Sequence, residues 1–384
     1  MIYNDLLINK DKLDQLIHFF KNDRIQNAYI FHGNNGIGKE AHAIEFFALI
    51  NCVDLLENNT ACGHCISCKK ISSMQHELLS ITLPFPKSKN INKNDSSLKA
   101  LNEKDLESLT TQLKIKGTNP YYKINLNKAN TIIINSIKDI KKNISLSIPK
   151  DSYRLHLILN AEKLCSPNQE SANALLKILE EPTENNFFIL ITNDISKIID
   201  TIVSRCTSIY FHPIEFDKHY NFLKNKGIDN INAEVATQLS FGDINYSLEI
   251  AKNFKDKEKV FNKILLSILD NDLNEWSNIF SKIKDKKNII EYLTFISFFI
   301  RDISNIQNNT MQKINFSNFK AILEKLSNKK FIDFKKSIDL IDKTINNINA
   351  NGYLPLMTTG LFIELQNIFN ENSSNKQLEH FIYQ

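Results

Sequence analysis

The stretch F-F-I-L-I-T-N-D-I-S-K-I-I-D-T-I-V-S-R-C, from Phe187 to Cys206, decides how the rest of the chain is interpreted. Its first five residues are apolar and predict a buried strand, and Thr192 and Asn193 give that strand a polar tip. Such a tip can contact a phosphate group, or it can cap the following turn. A short helix then leads into the triplet S-R-C, whose arginine, Arg205, is the main candidate functional residue.

The helix before this strand is predicted over 171–181, S-A-N-A-L-L-K-I-L-E-E, and is ended by Pro182. Apolar residues at helical spacing give it a core face. Glu180 and Glu181 are interpreted as a solvated helix end rather than a catalytic carboxylate pair, because adjacent helical residues point about 100° apart.

Composition places the chain among ordinary globular proteins. It has 384 residues, of which 42% are hydrophobic and 23% charged, enough for two or three domains. The net charge of +4 does not by itself favour nucleic-acid binding. The longest apolar stretch near the end, 292–300, is far shorter than the ~20 residues that span a bilayer, and the first residues carry no signal-peptide pattern. We therefore expect a cytoplasmic protein with no membrane partner, whose cysteines are metal ligands or buried thiols rather than disulfides.

A strand, a glycine-rich turn, a lysine and a helix follow one another over 28–51. The sequence H-G-N-N-G-I-G-K has the spacing of a phosphate-binding loop, in which glycines let backbone N–H groups turn toward phosphate oxygens. The candidate nucleotide-binding residues are Gly33, Gly36, Gly38 and Lys39. The motif continues with Ser or Thr, whose hydroxyl binds Mg²⁺, whereas this chain has Glu40. We interpret the loop as a tight turn that has the shape of a phosphate-binding loop but lacks the group that binds Mg²⁺. Weak nucleotide binding is an open alternative.

Four cysteines follow the loop at metal-ligand spacing. They are Cys52 and, in A-C-G-H-C-I-S-C-K-K, Cys62, Cys65 and Cys68. Four thiolates can surround zinc tetrahedrally and leave no open position for catalysis, so the pattern predicts a structural zinc site. The alternatives are four buried thiols, or His64 in place of Cys52 as the fourth ligand.

A polar segment over 87–118 is interpreted as an insertion in the first domain. Residues 87–97 are predicted to form a mobile loop, and Asp105–Leu113 a short helix. The sequence does not indicate what this insertion does.

The next buried strand is predicted over 153–160, Y-R-L-H-L-I-L-N. A nucleotide-hydrolysing core ends this strand with an acidic pair that holds magnesium. Here Asn160 lacks the charge that magnesium favours, and Glu162 lies further along and is predicted to begin the following helix. This is a second loss of hydrolytic groups, independent of Glu40. From Phe216 onward the pattern is helical, with Trp276 as a core residue.

These stretches together resemble the bacterial DNA polymerase III clamp-loader subunits. The residues that carry the resemblance are A-Y-I-F-H-G-N-N-G-I-G-K, the four cysteines, S-A-N-A-L-L-K-I-L-E-E-P, I-L-I-T-N and S-R-C, within residues 13–251. The resemblance implies an AAA+ fold with a parallel α/β sheet domain over 1–213 that contains the zinc module at 52–68. A helical lid over 214–254 and an all-α C-terminal collar domain over 255–384 would follow.

The resemblance also implies an assembly. Members form a pentameric ring of ATP-hydrolysing motor subunits (gamma or tau) and a delta subunit, within the DNA polymerase III holoenzyme, and place a sliding clamp on primer–template DNA. Motor subunits keep the loop hydroxyl, the acidic strand tip and an arginine shortly after the lid glycine, whereas this chain has Glu40, Asn160 and Asn245. These losses favour a non-catalytic subunit of the family that hydrolyses no ATP itself.

In such a ring the S-R-C arginine projects into the ATP site of a neighbouring subunit. The resemblance therefore predicts that Arg205 is an arginine finger acting in trans, with Ser204 and Cys206 positioning its loop. The alternatives are a domain-edge salt bridge for Arg205 and, for the chain, an ATP-hydrolysing motor subunit with an unusual loop. A zinc-dependent nucleic-acid-binding module is weakened by the modest charge and by the lack of aromatic residues around Cys62–Cys68.

Overall fold

The computed structural model describes residues 1–22, 26–56, 60–92, 94–181, 183–308, 316, 319–328 and 333–382, with only the backbone for 255 and 370–382. Pro182, which the sequence predicts to end a helix, lies outside the described residues. The chain forms two compact units. The first comprises Met1–His219 with Phe241–Tyr246, and the second comprises Tyr220–Ser240 with Ser247–Gln384.

The first unit is built on a parallel sheet. Within the described residues its five strands are β1 (Ala28–His32), β2 (Leu79–Thr82), β3 (Arg154–Ile158), β4 (Asn186–Thr192) and β5 (Thr207–Tyr210). Their order is β2-β3-β4-β1-β5, and every neighbouring pair is parallel. The carboxyl ends of all the strands therefore lie at the same edge of the sheet, where ligands bind in open α/β folds.

The central strands are buried along their whole length, as expected for a sheet covered by helices on both faces. All residues of β3 and β4 are buried, and Ile30 of β1 pairs with Leu190 on one side and with Ser208 on the other. Strand β2 was not predicted from the sequence. It is short, it lies at the edge of the sheet, and its residues are mostly half-buried, so its apolar signal is weak.

Helices and 3₁₀ turns connect the strands of the first unit. The helices are α1 (Lys10–Lys21), α2 (Lys39–Ile50), α3 (Ile66–Ser72), α4 (Glu103–Thr118), α5 (Ile134–Ile144), α6 (Glu170–Glu180) and α7 (Asp200–Val203). The 3₁₀ turns are Ser97–Ala100, Ala161–Cys165 and Ile195–Lys197.

One local prediction in this unit is corrected, and another is made more specific. Helix α4 is longer than the predicted Asp105–Leu113, because Asn102 caps it by accepting a hydrogen bond from the Asp105 N–H at 2.8 Å. Glu162 does lie in the first turn of the following helix, but this is the short 3₁₀ helix Ala161–Cys165, and the α-helix α6 begins only at Glu170. The predicted mobility of 87–97 stays a prediction.

The second unit is helical throughout its described part. Its elements are α8 (Phe216–Asn225), α9 (Asn230–Leu239), α10 (Ile244–Leu269), α11 (Leu273–Lys282), α12 (Lys286–Gln307), α13 (Lys320–Ser327), α14 (Phe334–Asn349) and α15 (Leu354–Ile382). Helices α8 and α10 each begin in the first unit. Trp276 is fully buried and donates a hydrogen bond from Nε1 to the Thr358 carbonyl at 3.0 Å, so its predicted core position is confirmed. None of the helices in the described part of the chain combines the length and apolarity needed to cross a bilayer.

The predicted fold class is confirmed: a parallel α/β sheet domain contains the cysteine module and is followed by an all-helical region. The predicted domain boundaries stay predictions. Helix α10 passes without a break through residue 254, where we expected the lid to end.

Candidate nucleotide, metal and arginine sites

The glycine-rich loop joins the carboxyl end of β1 to the N-terminus of α2. Gly36 has a φ of +66°, which favours glycine. A Cβ atom at Gly36 would also lie 2.0 Å from Oδ1 of Asp243, so the Asp243 carboxylate is in direct contact with the loop backbone. The loop therefore has the position and backbone form of a phosphate-binding loop, with a protein carboxylate packed against it.

Lys39 is folded back onto this loop. Its ammonium donates hydrogen bonds to the carbonyls of Gly33, at 2.7 Å, and Asn34, and to Oδ1 of Asn193 at 3.1 Å. The side chain is buried, and this burial lowers the pKa of Lys39 from 10.5 to about 8. A lysine ammonium has three donors, and all three are used within the protein. A phosphate would have to displace at least one of these acceptors.

Glu40 is neutralised by a lysine of the insertion. Its Oε2 lies 2.6 Å from Nζ of Lys116, and the two side chains are only 15% and 3% exposed. The same ammonium donates hydrogen bonds to the carbonyls of Pro120, at 3.1 Å, and Tyr122, at 2.8 Å. The contact with Glu40 is an ion pair that lacks hydrogen-bond geometry. Lys116 was not predicted as a site residue, because no local sequence pattern marks it.

The polar strand tips hold other protein groups. Asn193 accepts the Lys39 hydrogen bond, and Thr192 donates from Oγ1 to Oε2 of Glu162 at 2.8 Å. Asn160 directly follows Leu159 at the end of β3, has a left-handed backbone with φ of +53° and lines the loop cavity. Asn160, Thr192 and Asn193 thus lie together at one edge of the sheet, as its parallel strands require. Thr192 and Asn193 are already hydrogen-bonded within the chain.

The segment 241–246, which belongs to the first unit, covers the loop. The Ile244 N–H donates to the Gly36 carbonyl at 3.2 Å, and the Asn245 amide donates to the carbonyl of Tyr121. The remaining cavity has a volume of about 60 Å³. Ligand pockets have volumes of roughly 300–1,000 Å³, so the cavity beside the loop is smaller than a typical ligand pocket.

The four predicted cysteines converge at one point. Their sulfur atoms all lie within 4.8 Å of one another, with 3.9 Å between Cys62 and Cys68 and 3.7 Å between Cys68 and Cys52. Zn–S bonds of ~2.3 Å in a tetrahedron place sulfur atoms about 3.8 Å apart, so the cluster fits a tetrahedral metal ion. Cys52 belongs to this cluster. His64, the alternative ligand, is exposed and lies with Nε2 3.9 Å from an Asp54 carboxylate oxygen.

Backbone N–H groups are directed at the same sulfur atoms. Cys62 donates to Sγ of Cys52 at 3.3 Å, Cys65 to Sγ of Cys62 at 3.2 Å, and Cys68 to Sγ of Cys65 at 3.4 Å. Such bonds favour the negatively charged thiolates that bind metals. Three of these cysteines are only half-buried, which does not fit the alternative of four buried thiols.

Arg205 lies at the surface, two residues after the end of α7. Its Nη2 atom is 2.6 Å from Oε1 of Glu180, the last residue of α6, and both side chains are 41% exposed. The intrachain salt bridge, which is the alternative role of Arg205, is therefore present, and its partner Glu180 was not predicted from the sequence. None of the described residues that line the loop cavity belongs to the triplet 204–206.

The two neighbours of Arg205 anchor its backbone. Ser204 donates from Oγ to the Thr201 carbonyl at 3.1 Å. Cys206 packs against the apolar core under the sheet, and burial raises the pKa of its thiol to about 12. A thiol with this pKa stays protonated at neutral pH, so Cys206 is not a nucleophile.

The fold and these sites define a P-loop-type α/β protein with a cysteine module inserted after the loop. The chain belongs to the family described as "DNA polymerase III, delta subunit", whose model matches residues 8–215, more than half of the chain. It is thus a member of the clamp-loader family, as the resemblance predicted.

Several relatives are named as DNA polymerase III subunits. The chain is 28% identical over 281 residues to DNA polymerase III subunit delta' of Buchnera aphidicola from Schizaphis graminum, covering 71% of this chain and 77% of that protein. It is 24% identical over 200 residues to subunit delta' of Bacillus subtilis, covering 52% and 46%. It is 26% identical over 222 residues to subunit gamma of Buchnera aphidicola from Acyrthosiphon pisum, covering 58% and 48%. The matches thus span about half the length of the latter two relatives.

Proposed function

We propose that this chain is a delta-prime type subunit of a DNA polymerase III clamp loader, working in the cytoplasm as a non-catalytic stator. It assembles with motor subunits of the gamma or tau type and with a delta subunit in a pentameric ring. The ring loads a sliding clamp on primed DNA. The names of the relatives support the assembly, since both delta' and gamma subunits are similar to this chain.

The observation that supports the non-catalytic role is that the Lys39 ammonium is fully hydrogen-bonded within the chain. Its three donors are bonded to Gly33, Asn34 and Asn193, where a nucleotide-binding loop would offer them to phosphates. Glu40 stands in place of the magnesium-binding hydroxyl and forms an ion pair with Lys116 instead. Hydrolysis needs both the phosphate cradle and the metal, so this chain does not turn over ATP.

Arg205 supplies the chemical contribution of the chain, at the ATP site of the neighbouring subunit. A guanidinium has five N–H donors, and the bond to Glu180 involves Nη2 alone. The other donors can be presented to the oxygens of a transferring γ-phosphoryl group, which raises hydrolysis by roughly 10³–10⁵ in systems that use such an arginine. The exposure of Arg205 and its place outside the chain's own loop cavity support this role.

The cysteine module holds zinc as a structural ion. Zinc is the metal that a closed set of four cysteines most commonly binds, and the sulfur spacings fit it. The ion ties the end of α2 to α3, since Cys52 follows the first helix and Cys68 lies within the second.

A similarity to gamma subunits makes an ATP-hydrolysing motor the second candidate, and one assay separates the two. Purified chain is measured for ATP hydrolysis with and without primed DNA, beside a Lys39→Ala variant purified in the same way. We expect the same background in both proteins, because contaminating motor subunits would be unaffected by the substitution. DNA-stimulated turnover that the Lys39→Ala variant loses would identify the chain as a motor.

Assembly is tested with the gamma and delta subunits of the same organism. The three proteins should elute together in size-exclusion chromatography, and the complex should load a clamp only when this chain is present. Loading that proceeds equally well without the chain would contradict the proposed function.

A further inference from the structure

The bond between Glu180 and Arg205 joins the ends of two elements. Glu180 closes α6, and Arg205 follows α7 by two residues, with its backbone N–H bonded to the Ile202 carbonyl at 3.1 Å. A cation is favoured at the carboxyl end of a helix, because the helix dipole is negative there. Both the carboxylate and the end of α6 therefore attract the same guanidinium.

A carboxylate and a phosphate compete for this guanidinium. Each presents two anionic oxygens that accept the paired donors of arginine. While Arg205 is bonded to Glu180, the negative charge of Glu180 offsets the positive charge that would stabilise a γ-phosphoryl group. The finger cannot act at full strength until this bond is broken or shared.

We propose that Glu180 is a positioning residue that holds Arg205 in reserve and releases it to the γ-phosphate of the neighbouring subunit. This inference rests on the proposed function of Arg205 in trans. Glu180 lowers the fraction of chains in which the Arg205 side chain is free to contact a phosphate. The kcat/KM of the neighbouring ATP site is lowered in proportion to that fraction. Arg205 binds the neighbouring site only where a phosphate outcompetes the Glu180 carboxylate. When that site holds no nucleotide, Arg205 stays paired with Glu180.

The size of the effect follows from the exposure of the pair. An ion pair that is 41% exposed on both sides is weak, and exposed pairs are worth about 0.2–1 kcal/mol, a factor of about 1.4–5 in an equilibrium constant. This is far less than the roughly 10³–10⁵ that an arginine finger contributes. Glu180 therefore competes weakly for Arg205 and does not prevent Arg205 from binding the γ-phosphate of the neighbouring subunit.

The test uses the reconstituted ring with this chain as wild type or as Glu180→Gln, which removes the charge and keeps the shape. We expect kcat/KM for ATP at the site that this chain completes to rise about 1.4–5-fold, so the value for the whole ring should rise by the share of that one site. The rise should shrink when the ionic strength is raised above about 0.1 M, because salt screens exposed pairs. Glu181→Gln is the matched control, since it removes the adjacent exposed carboxylate, and it should leave kcat/KM unchanged.

The outcomes separate this inference from the proposed function. Glu180→Gln in an Arg205→Ala background should have no effect on kcat/KM. If Glu180→Gln lowers kcat/KM or leaves it unchanged while Arg205→Ala abolishes the contribution of the finger, Arg205 still acts in trans and the reserve role of Glu180 is overturned. If Arg205→Ala itself has no effect, both are overturned. Equal thermal unfolding midpoints for the variants would exclude a folding defect as the cause.

Discussion

Nζ of Lys116 lies 2.6 Å from Oε2 of Glu40, which joins the end of the insertion helix α4 to the start of the loop helix α2. The residue that removes the magnesium-binding hydroxyl is thus the residue that anchors the insertion. A buried carboxylate without a partner would be costly, so the change at position 40 and the lysine at position 116 belong together. The insertion, whose role the sequence does not indicate, closes the side of the loop.

Breaking this pair should destabilise the first unit. Glu40→Ala leaves the buried Lys116 charge unpaired and should lower the free energy of unfolding by about 3–5 kcal/mol, measured by urea titration. The double variant Glu40→Met with Lys116→Met removes both charges and should recover part of this loss, short of full recovery because the carbonyls of Pro120 and Tyr122 lose the hydrogen bonds from Lys116. As a control, Glu77→Ala breaks the exposed pair with Lys70 and should leave stability close to wild type. A double variant as unstable as Glu40→Ala would show that the charge pair is not the cause.

Restoring the loop hydroxyl should not restore nucleotide binding. In Glu40→Thr combined with Lys116→Met, no buried charge is left unpaired, yet Asp243 still packs on Gly36 and Lys39 stays bonded to the loop. We expect no saturable binding of a fluorescent ATP analogue in an equilibrium titration, with a gamma subunit as the positive control. Micromolar binding by the double variant would mean that Glu40 alone closes the site.

The state of Lys39 predicts a pH dependence. Its pKa falls from 10.5 to about 8 on folding because the side chain is buried. Between these two values the unfolded chain binds more protons than the folded one, so the folding free energy from this group becomes more favourable as pH rises from about 8 to 10.5. Well below pH 8 Lys39 is protonated in both states, so this increase in stability is absent. Unfolding titrations of wild type and Lys39→Met across this range should differ in slope in that direction, and parallel slopes would contradict the burial of a lowered-pKa lysine.

The cysteine cluster should hold about one zinc ion per chain, as measured by atomic emission. Cys65→Ser and Cys52→Ser should each lose most of the metal, because each removes one of the four converging sulfur atoms. His64→Ala is the matched control and should keep the full content, since His64 lies outside the cluster. A Cys52→Ser variant with undiminished zinc would reassign the fourth ligand.

Arg205→Ala should impair the assembled ring rather than the chain. The ATP site that this chain completes should lose roughly 10³–10⁵ in hydrolysis rate, so total turnover falls by the share of that one site. Arg205→Lys should recover little, because a lysine keeps the charge but lacks the paired donors. Co-elution with the other subunits should be unchanged. Undiminished turnover in an intact ring would leave Arg205 as a surface salt bridge alone.

The sequence by itself determined the elements whose signal is local. The apolar run 187–191 predicts β4, the glycine spacing before Lys39 predicts the loop between β1 and α2, and the spacing of the cysteines predicts their convergence. Each of these depends on the order of neighbouring residues, which sets backbone conformation and burial directly. Strand β2 lacks such a signal, because an edge strand is buried on fewer sides, and it was missed.

Only the tertiary structure decided which partners the charged side chains of Glu40, Lys39 and Arg205 contact. Glu40 pairs with Lys116, Lys39 bonds to Asn193, and Arg205 pairs with Glu180, although each partner is distant in sequence. The chain has 47 basic and 43 acidic residues, and attraction between opposite charges does not by itself select one partner among so many. The selection comes from the parallel sheet and the packing of α4 and α6, which bring particular side chains within bonding distance and exclude water from two of the three contacts.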